Sequence, residues 1–196
     1  RVRHMDYGVV LSAFFWKRFK NKENITFFDP NEVPDLYEAF YTDTPLFEEL
    51  YVKYEKSRKL RKKTMSAEEV FRSGILKERT DTGRIYLVYI DNVMNQGPFD
   101  TKVDPIYQSN LCCEILLPTK PFKRLDDDEG RIALCTLGSI NWGAFRHPED
   151  MRRACRTLQR SLCNILDYQD FLSIQSKLSN DEISPLGIGV TNLAYW

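Results

Sequence analysis

The chain is almost continuously apolar from Tyr7 as far as Lys17, and the run to Phe19 predicts a buried helix. Polar Asn21–Asn24 predicts a turn, and Ile25–Phe28, stopped by Asp29 and Pro30, a short strand. Pro34–Tyr41 reads as a short helix. Thr44 and Pro45 then read as the N-cap and first residue of another, on which Phe47, Leu50, Tyr51 and Tyr54 recur at helical spacing and predict one buried stripe. Ser66-Ala-Glu-Glu69 has the capping-box pattern and opens a helix through Val70, Phe71 and Ile75 towards Arg79. After a turn at Asp81-Thr82-Gly83, Arg84–Asp91 is apolar on both faces, as in a strand covered on each side. A helix feeding such a strand predicts an α/β fold.

Asn95–Pro105, rich in Gly, Pro and Asp, reads as a loop. Pro118–Pro121 breaks the chain, Asp126–Gly130 makes an acidic turn, and Arg131–Leu137 reads as a returning strand. The four adjacent carboxylates from Asp126 to Glu129 lack the alternating spacing of a calcium loop, so a solvated tip is expected. Pro148 opens a long helix with Glu149 and Asp150 in its first turn. Met151, Ala154, Cys155, Leu158, Leu162, Ile165 and Leu166 form its predicted buried stripe, with Cys163 beside it, and both cysteines are expected in the core. Pro185–Val190 is a candidate buried strand. Its Gly187 and Gly189 make no dinucleotide fingerprint, because a third glycine is missing. Leu193–Trp196 reads as the start of a further helix, which suggests an excerpt of a longer chain.

Between these elements, Gln108–Ile115 concentrates the chemistry. If extended, it places Asn110, Cys112 and Glu114 on one face and Leu111, Cys113 and Ile115 on the other. An amide, a thiol and a carboxylate then converge on one edge, while the apolar face anchors the segment. A thiol flanked by hydrogen-bonding groups suits redox or radical chemistry on a polyol-like substrate. Cys135 follows 23 residues after Cys112, and an excursion out and back around the acidic tip can bring the two thiols together.

Charge changes this picture little, since 28 basic and 28 acidic residues cancel in a chain of 196. Seven of the eleven residues from Lys53 to Lys63 are Lys or Arg, but with no glycine and no aromatic beyond Tyr54 the run reads as a solvated helix end and loop rather than a nucleic-acid patch. Five cysteines at irregular spacing suit reduced thiols better than a secreted disulfide framework. Without a Cys-x-x-Cys pair, and with His4 and His147 far apart in sequence, no metal site is expected. No apolar run approaches a bilayer span and the opening residues lack a signal-peptide core, so a cytoplasmic location is expected, in the host if a phage encodes the chain.

At Ser109-Asn110-Leu111-Cys112-Cys113-Glu114-Ile115, Leu117-Pro-Thr-Lys-Pro121 and Ile132-Ala-Leu-Cys-Thr-Leu137, the sequence closely resembles the large, catalytic subunit of class I ribonucleotide reductase, in its proteobacterial and T4-like phage version. Agreement extends through Arg3–Gly8, Thr82–Tyr86, Leu166–Asp170 and Leu186–Val190, so it covers nearly all 196 residues.

The resemblance implies the central part of a ten-stranded α/β barrel, incomplete at both ends, in which a finger loop carries the radical cysteine. By motif, Cys112 is that cysteine, and its thiyl radical abstracts the 3′ hydrogen of a ribonucleoside diphosphate. Glu114 matches the carboxylate that takes the 3′-hydroxyl proton in water-poor surroundings, and Asn110 the amide that binds substrate and carboxylate. Ser109 is expected to contact substrate. Cys135 matches one half of the redox pair oxidised as the 2′-hydroxyl leaves. Cys113 stands where the family more often has an aliphatic residue or threonine, and by alternation it faces away from substrate.

The resemblance also implies partners. A metal-containing small subunit supplies the radical, a thioredoxin- or glutaredoxin-type protein supplies electrons, and ATP and dNTP effectors bind outside these residues. The second redox cysteine, the phosphate-holding loop, the radical-relay tyrosines and the C-terminal cysteines belong to the remaining parts of the large subunit, so these 196 residues are expected to be inactive alone. A non-catalytic remnant or interaction fragment of the subunit is the alternative. Neither membrane nor nucleic acid is expected as a partner.

Overall fold

The computed structural model describes residues 5–110 and 112–195. His4, Leu111 and Trp196, which entered the expectations above, lie outside them. The chain forms two compact units. The first runs through Tyr107 and adds the stretch ending at Leu116, and the second holds Gln108–Asn110 and the chain from Leu117 onward.

In the first unit the predicted apolar helix is instead a strand and a helix, β1 (Tyr7–Leu11) and α1 (Ala13–Lys20). Ser12 divides them: its hydroxyl accepts from the Phe15 N–H and caps α1, while Val9 and Val10 are β-branched and suit the strand before it. β2 (Asn24–Phe28) and α2 (Pro34–Thr42) follow as expected. α3 (Thr44–Lys56) is capped one residue earlier than predicted, by the Asp43 carboxylate, which accepts from Leu46 N–H at 3.0 Å. Its stripe packs as the spacing requires, with Phe47, Leu50 and Tyr51 buried against Phe14, Val33, Leu36 and Ala39 and with Tyr54 at the margin. Edge-on ring pairs such as Phe14–Tyr51, 4.8 Å apart, each add about 1 kcal/mol beyond burial.

The basic run ends in a strand that the sequence pattern did not announce, β3 (Lys62–Ser66), paired antiparallel with β2. Pairing explains it: Thr26 and Thr64 oppose each other with hydroxyls 3.0 Å apart. Two of the basic side chains are used locally. Arg61 binds Asp29 at 3.0 Å and Glu32 at 2.8 Å, and the Lys62 ammonium donates to the carbonyls of Glu55 and Ser57.

Ser66 caps the helix as the pattern predicts, its hydroxyl accepting from Glu69 N–H at 3.0 Å. The helix it opens is α-helical at α4 (Ala67–Glu69), widens into a π-helical stretch (Val70–Leu76) that carries Phe71 onto Phe15, Trp16 and Phe19, and resumes as α5 (Lys77–Thr82). Gly83 ends it at φ 69°, a left-handed conformation that glycine adopts without strain. β4 (Ile85–Tyr89) is shorter than predicted, because α6 (Ile90–Gln96) begins within the apolar run. It pairs in parallel with β1, and only Ile85 on it is buried.

In the second unit, Lys120 and Arg131 form an isolated bridge around the acidic turn, and residues 132–136 are irregular, so the predicted returning strand starts only at β5 (Leu137–Asn141). α7 (Pro148–Tyr168) is the predicted long helix, but of its stripe only Leu162 and Leu166 are buried and Ile165 is exposed. Cys155 and Cys163 are half-buried, short of the core position expected of them. α8 (Ile174–Ile183) precedes β6 (Gly187–Thr191), which pairs in parallel with β5 and is mostly exposed rather than buried. A fully buried glutamine on α8 holds the acidic turn: the Gln175 amide donates to the carbonyls of Leu125 at 3.1 Å and Asp127 at 2.5 Å. The fold is therefore mixed α/β. Among the described residues its strands form three two-stranded sheets, and no closed barrel.

Candidate active site

The segment that carries Cys112 is anchored by its flanks. Ile106 is buried beside Tyr41, Ile90 and Val93, and Tyr107 and Leu116 pack against the same cluster. Tyr107 also lies 5.2 Å from the Tyr41 ring, and its hydroxyl donates to Glu38 at 3.2 Å. Burial holds the Tyr107 phenol above its ordinary pKa, with the Glu38 carboxylate adding to the effect, and burial raises that of Tyr41 further. Both rings are therefore neutral, packed anchors.

Between these anchors the segment is not a strand. Cys112 lies in a turn, Cys113 in a bend at φ 57°, and residues 108–110 and 114–115 have no regular structure. A left-handed residue reverses the chain locally and destroys strict two-residue alternation, and among the described residues no strand pairs with the segment to impose it. The exposure pattern nevertheless resembles the expected one, with Cys112 and Glu114 exposed and Cys113 and Ile115 half-buried.

The four predicted catalytic residues divide between the units: Cys112 and Glu114 in the first, Asn110 and Cys135 in the second. Within the second unit the structure joins two of them, since the Asn110 amide donates to the Cys135 sulfur at 2.7 Å. Ser109 extends the chain of contacts, its hydroxyl donating to the Asn110 carbonyl oxygen at 3.1 Å. The amide is thus held at both ends, its oxygen by Ser109 and its nitrogen by Cys135. Such an arrangement fixes an amide beside a thiol. Cys135 itself precedes β5 on irregular chain and is exposed. Glu114 is exposed too, so the described residues do not supply the water-poor surroundings implied for it.

Sequence reasoning did not identify the contribution of Tyr107 and Glu38 to this segment. The signal available was Ile106 and Tyr107 as an apolar pair just before the polar stretch. All five cysteines are thiols, and no helix among the described residues is long and apolar enough to cross a membrane.

A family model described as the ribonucleotide reductase barrel domain matches residues 1–196. Ribonucleoside-diphosphate reductase subunit alpha of Haemophilus influenzae is 47% identical over 196 residues, covering 100% of this chain and 26% of that protein. Subunit alpha of the Escherichia coli ribonucleoside-diphosphate reductase 1 is 44% identical with the same coverage, and that of Enterobacteria phage T4 is 38% identical over 199 residues. The chain spans about a quarter of the length of these relatives. It belongs to the ribonucleotide reductase barrel-domain family.

Proposed function

We propose that these residues are the central part of the catalytic subunit of a ribonucleoside-diphosphate reductase, contributing strands to a ten-stranded α/β barrel and presenting Cys112 on its finger loop. The observation that carries the reading is the Ser109–Asn110–Cys135 chain of hydrogen bonds. It fixes an amide against a thiol in a sequence whose whole length matches about a quarter of a reductase alpha subunit.

Each residue then has one task. A thiyl radical on Cys112 takes the 3′ hydrogen of the ribonucleoside diphosphate, and Glu114 accepts the 3′-hydroxyl proton. Asn110 orients the sugar and the carboxylate, with Ser109 holding the amide. Cys135 and a second thiol of the subunit lose two electrons and become a disulfide as the 2′-hydroxyl leaves as water. The sum is ribonucleoside diphosphate plus dithiol giving deoxyribonucleoside diphosphate, disulfide and water. That balance requires the hydrogen to return to C3′ and the radical to be regenerated. The small subunit originates the radical, and an external thioredoxin- or glutaredoxin-type dithiol resets the disulfide.

The test combines these residues with the remaining large-subunit parts, the small subunit and a reductant, and follows conversion of CDP to dCDP. Turnover that disappears in Cys112→Ser supports the reading, and turnover that survives it overturns the reading. A second reading, a non-catalytic interaction fragment, draws on the exposed apolar residues Leu137, Ile188 and Val190 of the β5–β6 sheet. Under that reading the assembled parts turn over no CDP.

A further inference from the structure

Cys112 is followed directly by a second thiol, and the backbone there departs from the strand that alternation predicts. In a strand, consecutive side chains point to opposite faces, which keeps neighbouring sulfurs apart. Here a turn at Cys112 and a left-handed Cys113, φ 57°, remove that constraint. Holding a residue with a Cβ in this conformation costs about 1 kcal/mol, and Cys113 is one of four non-glycine residues with positive φ among the described residues. Cys112 is exposed and Cys113 half-buried, so an oxidant in solvent meets Cys112 first.

We propose that Cys112 and Cys113 form a vicinal dithiol, a modification site at which a peroxide-class oxidant closes a reversible disulfide. Peroxide first transfers oxygen to the Cys112 sulfur, giving a sulfenic acid and one water. The Cys113 sulfur then attacks that sulfur. The S–S bond forms, the S–O bond breaks, and the hydroxide leaves with the Cys113 proton as a second water. Two thiols have lost two electrons and two protons, and one peroxide has become two waters. Direct linkage makes the second step intramolecular, so it outpaces further oxidation.

The product is suited to reversal. Consecutive Cα atoms lie about 3.8 Å apart, shorter than the separation of about 4.4–6.8 Å usual for disulfides. The bridge is therefore strained, and strained disulfides are easily reduced. In its consequence the inference rests on the proposed function: closing the bridge takes the radical carrier out of use without destroying it, whereas oxidation to sulfinic acid is permanent.

The experiment needs no reductase activity. The chain is treated with hydrogen peroxide, its remaining thiols are blocked with N-ethylmaleimide, and the peptide containing both residues is weighed. In the wild type it is expected unblocked and lighter by two hydrogens, and dithiothreitol restores it. In Cys113→Ser, a near-isosteric change, Cys112 is expected to carry at least about fivefold more sulfinic acid at the same dose. Equal sulfinic acid in the two proteins, or a bridge from Cys112 to Cys135 instead, overturns the proposal. Because the readout is mass, its failure is separate from failure of the CDP assay on Cys112→Ser.

Discussion

The amide nitrogen of Asn110 donates to the sulfur of Cys135 across 2.7 Å, joining residues 25 positions apart. That contact occupies a sulfur lone pair and covers one side of the thiol. Asn110→Ala is expected to raise the rate at which iodoacetamide alkylates Cys135 by about fivefold, the equivalent of one ordinary hydrogen bond of about 1 kcal/mol. Ser109→Ala, which removes only the Ser109 contact to the amide oxygen, is expected to raise it less. Peptide mapping after timed alkylation measures both, and an unchanged Asn110→Ala rate would deny the contact a role in positioning the sulfur.

Tyr51 closes the open edge of β2. Its hydroxyl donates to the Thr26 carbonyl at 2.7 Å and accepts from the Thr26 N–H at 2.6 Å. Tyr51→Phe strands both backbone groups in a buried place and is expected to cost about 2 kcal/mol in urea unfolding. It also alters the alkaline limb. Burial, the largest cause, pushes the Tyr51 phenol up to about 12, above its ordinary value of about 10. A raised pKa means the folded protein holds the proton more tightly than the unfolded chain, so this stability is complete below pH about 10 and is lost as pH rises towards about 12. Stability measured between those values is expected to fall less steeply in Tyr51→Phe than in the wild type.

Arg18 and Glu55 form a two-pronged ion pair, at 2.8 and 2.6 Å, between side chains only 11% and 19% exposed. The guanidinium also lies over the Phe14 and Tyr51 rings, and Thr26 donates to Glu55 at 2.8 Å. Glu55→Ala leaves the cation with little water around it and is expected to cost about 3 kcal/mol. Replacing both partners together, Arg18→Met with Glu55→Leu, removes the stranded charge and is expected to cost less than Glu55→Ala alone. Urea midpoints of the three proteins decide it, and a double variant weaker than Glu55→Ala would show that the pair stabilises the unit outright.

Gly138 is the point where β5 touches α7. A Cβ there would stand 2.7 Å from a Leu158 methyl, so Gly138→Ala is expected to destabilise by about 1–3 kcal/mol through overpacking. Leu158→Ala in the same chain removes the obstructing methyl. The double-mutant cycle should therefore show a favourable coupling of at least about 0.5 kcal/mol, and strict additivity would place the strain elsewhere.

The legible elements were those whose cause is local. The Ser66 cap, Pro34 and Pro148 at helix starts, and the Phe47–Leu50–Tyr51 stripe all act within one or two turns, and each appears as read. The misread elements depend on a partner far along the chain. Tyr7–Leu11 is as apolar as a buried helix, and it is a strand because β4 lies beside it; Lys62–Ser66 shows no strand pattern, and it is one because β2 pairs with it.

The motif residues follow the same division. Residue order alone singled out Asn110, Cys112, Glu114 and Cys135 as candidates, because a resemblance to a family is carried by side-chain identity. Tertiary structure alone decided that Cys113 adopts a left-handed turn, that Asn110 meets Cys135, and that buried Gln175 holds the acidic turn. Alternation and helical period report only neighbours a few residues away, whereas these contacts depend on how distant segments are brought together, and no local pattern encodes that.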